Sequence, residues 1–164
     1  MAIDRPSKEA FADLHPRAKR VVAAEFLRHV LDKLACKVHT VLTDNGVQFM
    51  PQAHQFLPGG HRFDHICRAY RVEQRLTKPA YPWTIGQVER MNRTLKEATV
   101  QRYHYQTTDE LNEHLQASLL AYNHAKRLKT LRGLTPHEFI CAQWKQNPAT
   151  VTRDPIHRTL GLYI

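Results

Sequence analysis

Residues 87–98 constrain the chain more than any other stretch. Val88, Met91, Leu95 and Ala98 recur at helical spacing, whereas Glu89, Asn92, Arg93 and Lys96 fall at i, i+3, i+4 and i+7 and share another side. The spacing predicts a helix that starts just past Gly86, with one face in a core and one in solvent. Before it, Lys78–Gly86 carries Pro79, Tyr81, Pro82 and Trp83 and reads as a turn-rich loop. One carboxylate followed by two cations on a single face suits a phosphate-processing site. The acid can hold a metal ion, and the cations can hold the backbone being cut. The same four residues also describe a solvated face with a Glu89–Arg93 pair worth roughly 0.2–0.5 kcal/mol. A second acidic site is what separates the two readings.

Length and charge narrow the field. A chain of 164 residues fits one compact domain with a real core. The net charge of +9, with eleven histidines besides, favours a polyanionic partner and nucleic acid first. No apolar run approaches a membrane span, which predicts a soluble protein with no membrane partner. Met1-Ala2-Ile3-Asp4 has neither a basic n-region nor an apolar h-region, so no secretory leader is expected. Cys36, Cys67 and Cys141 are widely spaced and form no C-x-x-C pair, and read as reduced intracellular thiols that mostly fill core.

In chain order, Ala2-Ile3 and Ala10–Leu14 read as short strands joined by the turn Asp4–Ser7. Arg17 to about Leu34 is an amphipathic helix with Val21, Leu27, Val30, Leu31 and Leu34 on its apolar face. Lys37–Thr43 is β-rich and should be a buried strand. It runs straight into Asp44-Asn45-Gly46, which is strong turn chemistry but also sits at a strand's carboxyl end, where open α/β sheets place ligands. A loop over Val47–Gly60 follows, carrying Pro51, Pro58 and Gly59-Gly60. Then come a short helix at His61–Tyr70 and a strand at Val72–Leu76. His61, His65 and Cys67 lack the fourth partner and paired spacing of a metal site, which favours core or surface roles.

Thr107 and Glu110 predict a capping box opening a helix to about Ala125, with Leu111, Leu115, Leu119, Leu120 and Tyr122 buried. Lys126–Gly133 is a basic connector, fit either for phosphate contact or for solvent. Thr135 and Glu138, with Pro136 at the first helical position, predict a second box and a helix to about Lys145. Residues 1–146 are expected to be the core, and 147–164 a partly loose tail. The element order describes an α/β domain with a mixed sheet.

Three segments carry a resemblance: Val41–Phe49 (VLTDNGVQF), Gly86–Ala98 (GQVERMNRTLKEA) and Ala121–Phe139 (AYNHAKRLKTLRGLTPHEF). Together they resemble the catalytic core of DDE transposases of bacterial insertion sequences, relatives of retroviral integrases. The likeness runs from Ala2 to about Trp144. It implies a ribonuclease H-like mixed sheet flanked by helices, and metal-dependent hydrolysis and strand transfer on DNA phosphodiesters. Asp44 matches the second acid of the triad and Glu89 the third, with 44 residues between them. The resemblance implies Mg²⁺ or Mn²⁺ in a two-metal site, with the ions held by carboxylates about 3.5–4 Å apart. It implies DNA contacts from Arg93 and Lys96. The neighbouring Lys78, Gln87 and Asn92, and Lys126, Arg127 and Lys129 of the connector, are taken into the same DNA-facing set. Homo-oligomers of the intact protein and a bacterial, cytoplasmic, nucleoid-associated location are implied as well.

The chain departs from the family pattern in two places. The first acid is expected on a central strand preceding Ala2, so the resemblance implies a core truncated at its amino end, with little activity alone. Ile85 stands where these relatives commonly carry a polar residue before the glycine. The zinc-binding or helix-turn-helix region that usually precedes the core is also absent from the sequence. A non-catalytic fragment that binds DNA or an intact transposase is the alternative. A junction-resolvase type of nuclease would need an acid set that is not found here.

Overall fold

A computed structural model describes residues 1–50, 60–78, 86–151 and 154–155. The expected Pro/Gly loop beyond Met50, most of the loop before α3 and most of the tail lie outside those residues. The elements are β1 (Ala2–Ile3), β2 (Ala10–Phe11), α1 (Arg20–Lys33), β3 (Thr40–Thr43), α2 (Arg62–Ala69), β4 (Glu73–Leu76), α3 (Gly86–Ala98), α4 (Thr108–His124) and α5 (Pro136–Gln146). The chain divides into two units. One holds Met1–Asp13, Ala35–Lys37 and Gln87–Ile164, and the other Leu14–Leu34 and Val38–Gly86.

In the first unit, β1 and β2 pair antiparallel, with Ala2 opposite Phe11 and Ile3 opposite Ala10. Asp4 organises the turn between them: its Oδ2 accepts bonds from the Ser7 amide at 2.9 Å and the Ser7 hydroxyl at 2.5 Å. Behind the hairpin, Met91 and Leu95 of α3 and Leu115 and Leu119 of α4 form one core with Ala10 and Ala12. Each such large apolar side chain contributes about 1.5–3 kcal/mol when buried, several times what a surface ion pair on α3 could add. Burial therefore fixes which face of α3 points outward.

β2 is shorter than the expected Ala10–Leu14, and side chains from α4 bond the backbone in and just after it. The Asn123 carboxamide accepts from the Ala10 amide and donates to the Ala10 carbonyl, both at 2.9 Å. Gln116 Nε2 donates to the Ala12 carbonyl at 3.1 Å. Asn123 thus acts as one residue of a neighbouring strand and satisfies a buried backbone pair that has to be satisfied somehow.

The local caps divide. Thr135 and Glu138 form the full reciprocal box at α5, with Pro136 in the first turn. At α4, Thr107 Oγ1 accepts from the Glu110 amide, but the Glu110 carboxylate reaches the amide of Gln106 instead of closing the box on Thr107. After α5, residues Pro148–Thr150 make a 3-10 turn, and Val151 is buried against Ala35 and Ile140 while bridging to Cys36. Asn147, Pro148 and Ala149 are exposed, whereas Val151, within the expected tail, is packed.

In the second unit, β3 and β4 pair parallel, with Thr40 opposite Glu73 and Thr43 opposite Leu76. β3 starts at Thr40, not Lys37, although the His39 carbonyl still accepts from the Glu73 amide at 2.9 Å. Leu27 of α1 packs with Phe63 and Cys67 of α2, joined by Val41 and Phe49. Val21, expected on the apolar face of α1, is 38% exposed. His61 caps α2 through its ring, Nδ1 accepting from the Phe63 amide. Burial, reinforced by the Asp64 carboxylate, pushes the Cys67 thiol up to about 11, so this cysteine stays neutral and fills core.

The described strands form two two-stranded sheets, one antiparallel and one parallel, where the sequence predicts one mixed sheet. A continuous sheet needs a strand bonded to both pairs, and none of the described strands does this.

Candidate active site and nucleic-acid interface

Asp44 follows directly on the last residue of β3. Its Oδ1 accepts the Gly46 amide at 2.8 Å, closing an Asx turn. Asn45 Nδ2 reaches across to the Thr77 carbonyl at 3.2 Å, and the Thr77 amide donates to the Thr43 carbonyl at 2.9 Å. Next, the Gly46 carbonyl accepts from the amides of Phe49 and Met50 at 2.9 and 3.3 Å. Arg20 Nε, from the start of α1, donates to the Val47 carbonyl at 3.1 Å. The turn reading and the site reading of D-N-G are thus compatible: the turn holds the carboxylate in one orientation, exposed. Asp44 Oδ2 has no partner among the described residues.

Gly46 is required sterically. A Cβ there would lie 2.7 Å from Asp44 Oδ1 and 2.5 Å from Gln48 Nε2. The Gln48 end can swing away, but moving the Asp44 oxygen breaks the turn that aims it. Gly46 is half-buried, and Gly46→Ala is therefore expected to lower stability by about 1 kcal/mol while the Asp44 carboxyl reorients. Nuclear magnetic resonance of the Asp44 side-chain carbon, alongside a thermal melt, checks both halves.

On α3, Met91 and Leu95 are buried, whereas Glu89, Asn92, Arg93 and Lys96 are all exposed. This is the face expected from the spacing. Glu89 lies in the first turn, where the helix dipole favours an anion. The Glu89–Arg93 ion pair that the spacing permits is not made, and neither residue has an ion-pair partner among the described residues. Gln87, at the start of the helix, is half-buried, and its Oε1 has no hydrogen-bond partner among the described residues. Lys78 is exposed.

The basic connector is an ordered loop. Leu128 bridges Leu134, Leu131 is 5% exposed at the centre, and Arg132 and Gly133 take left-handed φ angles of 56° and 84°. Its cations are not equivalent. Arg127 donates to the Gly133 carbonyl at 3.0 Å and pairs with Glu138 at 3.4 Å, bracing the loop against the start of α5. Lys126 Nζ lies 5.7 Å from the Tyr122 ring centroid, and Lys129 projects from the 3-10 turn into solvent.

Asp44 belongs to the second unit and Glu89 to the first. No group of three His, Cys, Asp or Glu side chains that could hold a metal is found among the described residues. Exposed carboxylate oxygens at both positions are nevertheless the hard donor type that suits Mg²⁺ or Mn²⁺. Asp4 lies in the β1–β2 turn, where its Oδ2 accepts from the Ser7 amide and hydroxyl. Sequence reasoning missed Asn123, which stands inside the apolar stripe of α4. A polar residue at an otherwise buried helical position was the available signal.

The architecture is the ribonuclease H-like α/β fold of retroviral integrase catalytic cores. The catalytic core domain of BIV integrase superposes with a TM-score of 0.63 at 20% identity, over 88% of this chain and 86% of that one. The HTLV-2 integrase catalytic core domain, in a trimeric form with magnesium, gives 0.62 at 16% identity over 84% and 80%. A chain of the simian T-cell lymphotropic virus intasome, in complex with PP2A regulatory subunit B56 gamma, gives 0.63 at 25% identity over 77% of this chain but only 42% of that one. Residues 70–136 match the family model of the integrase core domain. That span includes Glu89, Arg93, Lys96 and the basic connector, but not Asp44. No curated protein sequence matches. Among the described residues, no helix is long and apolar enough to cross a membrane.

Proposed function

We propose that this chain is a catalytic core of the DDE transposase type, acting on DNA phosphodiesters, in which Asp44 and Glu89 are two of the three metal-holding carboxylates. The observation that carries the reading is Asp44 itself. An Asx turn holds its carboxylate, one oxygen unpartnered among the described residues, at the carboxyl end of a parallel strand in an integrase-type fold. Glu89 supplies the second acid from the exposed face of α3, inside the integrase-core match.

Mg²⁺ or Mn²⁺ bound there would neutralise charge developing on the phosphodiester oxygens and lower the pKa of the attacking hydroxyl. The chain's own residues orient and bind. Arg93, Lys96 and Asn92 present donors beside Glu89, with Lys78 and Gln87 leading into the same helix, and Lys126 and Lys129 offer phosphate contacts on the connector. Arg127, exposed although it also braces the connector against Glu138, offers a further phosphate contact. Such contacts give affinity without sequence reading. The insertion-sequence origin, the bacterial nucleoid as location, and homo-oligomer formation belong to the same proposal.

Asp4, whose Oδ2 is bonded by Ser7 within the β1–β2 turn, is not taken as the remaining acid of the triad. We expect the purified chain to bind duplex DNA with an affinity that falls steeply with salt. Replacing one phosphate-binding cation, such as Lys96, by alanine should make the slope of log K against log[salt] shallower by about 0.9. With Mn²⁺ the chain should leave supercoiled plasmid essentially intact. Robust nicking that disappears in Asp44→Asn would show that the chain completes its own site. Binding indifferent to salt would remove DNA as the partner, and unaltered binding in Asp44→Asn and Glu89→Gln without nicking under any condition favours a non-catalytic DNA-binding role.

A further inference from the structure

We propose that Gln74 is the positioning residue of the Asp44 loop. The inference rests on Asp44 being a metal-holding carboxylate, and it names the residue that sets its orientation. Gln74 lies in β4, one strand away from Asp44, and its side chain is half-buried. Its Nε2 donates to two acceptors that flank the loop in sequence: Thr43 Oγ1 at 3.3 Å, immediately before Asp44, and the Phe49 carbonyl at 3.0 Å, five residues after it. A single amide nitrogen therefore closes the segment 43–49 into a ring. Within that ring lie the Asx turn of Asp44 and Gly46 and the Gly46 carbonyl that accepts from Phe49.

The geometry separates Gln74 from its strand neighbours. Glu73 pairs with Arg75, both exposed, and Thr40 donates to Glu73 at 3.5 Å. Those contacts hold the strand pair without touching the loop. Asn45 and Arg20 each anchor the loop at one point, Thr77 and Val47 respectively, whereas Gln74 ties both ends. The neutral carboxamide also fits the task. It supplies two N–H donors and adds no charge that would compete for a cation beside the carboxylate.

Residues that orient a metal-binding carboxylate from outside commonly change metal affinity by about 10–100-fold when replaced. Gln74 acts through the loop backbone, so the lower end of that range applies. The test is a Mn²⁺ titration of the ¹⁵N-labelled full chain, reading paramagnetic broadening of the Asn45 and Gly46 amides, with a thermal melt of each variant. Gln74→Met keeps the side-chain length and removes the donors. It should raise the Mn²⁺ concentration at half-broadening about tenfold. Thr43→Val removes one of the two acceptors and should raise it less, about threefold on the same scale; it keeps the proposal testable if Gln74→Met fails to fold. A half-broadening point unchanged in the folded variants, with only the melting temperature lowered, would reduce Gln74 to a packing role and overturn the proposal. Broadening that survives Asp44→Asn in otherwise wild-type protein would instead show that the carboxylate reading itself had failed, and the positioning role with it.

Discussion

Replacing Asn123 with leucine is expected to cost about 3 kcal/mol of stability, within the range for leaving two buried backbone groups unpaired at about 1–3 kcal/mol each. Asn123 and Ala10 are each 1% exposed, so water cannot replace the two 2.9 Å bonds that the carboxamide makes to the Ala10 backbone. Leucine is no smaller than asparagine, which keeps cavity formation out of the result. The loss should be concentrated at β2. Hydrogen-exchange protection of the Ala10 amide should fall about a hundredfold, the equivalent of some 3 kcal/mol at about 1.4 kcal/mol per factor of ten. Protection that falls less than about fivefold would mean that β2 is held by the β1 pairing and the apolar core, and that the strand-like role of Asn123 is superficial.

This dependence shows which parts of the molecule the sequence discloses. The face of α3 is legible because helical spacing alone decides which side chains share a side, and burial of Met91 and Leu95 then orients it. The α5 cap is legible because Thr135 and Glu138 are three residues apart and need nothing beyond their own turn. Asp44 is legible as a strand end, since β-rich residues run straight into turn chemistry. Distant partners are not legible. Asn123 bonds a backbone 113 positions away, and Gln74 reaches 31 and 25 positions back to the Asp44 loop. Nothing local tells which backbone either amide will meet. Strand length fails for the same reason: Lys37–His39 read as part of a β-rich run, but the ladder starts only where β4 provides a partner at Thr40. The pairing of the described strands, β1 with β2 and β3 with β4, also depends on non-local contacts, which no periodicity encodes. The Arg127 contacts are equally hidden from the sequence: its guanidinium, still exposed, reaches Glu138 and the Gly133 carbonyl.

The second large effect concerns the two acids. If Asp44 and Glu89 hold the same cations, each substitution removes a ligand from one site, and the effects do not add. Asp44→Asn and Glu89→Gln should each weaken Mn²⁺ binding by at least about tenfold, and the double variant should be scarcely worse than either, the signature of residues that act as a unit. Independent surface carboxylates would instead give small, additive effects. Both side chains are exposed, so neither substitution should change the fold, and a thermal melt would show this.

The most direct test follows Mn²⁺ from both ends at once. In wild-type protein, the Gly46 and Glu89 amides should broaden at the same Mn²⁺ concentration, and Asp44→Asn should abolish the broadening at Glu89 as well as at Gly46. Broadening at Glu89 that persists undiminished in Asp44→Asn would show that the two acids serve separate ions, and would contradict the shared site on which the proposed chemistry depends.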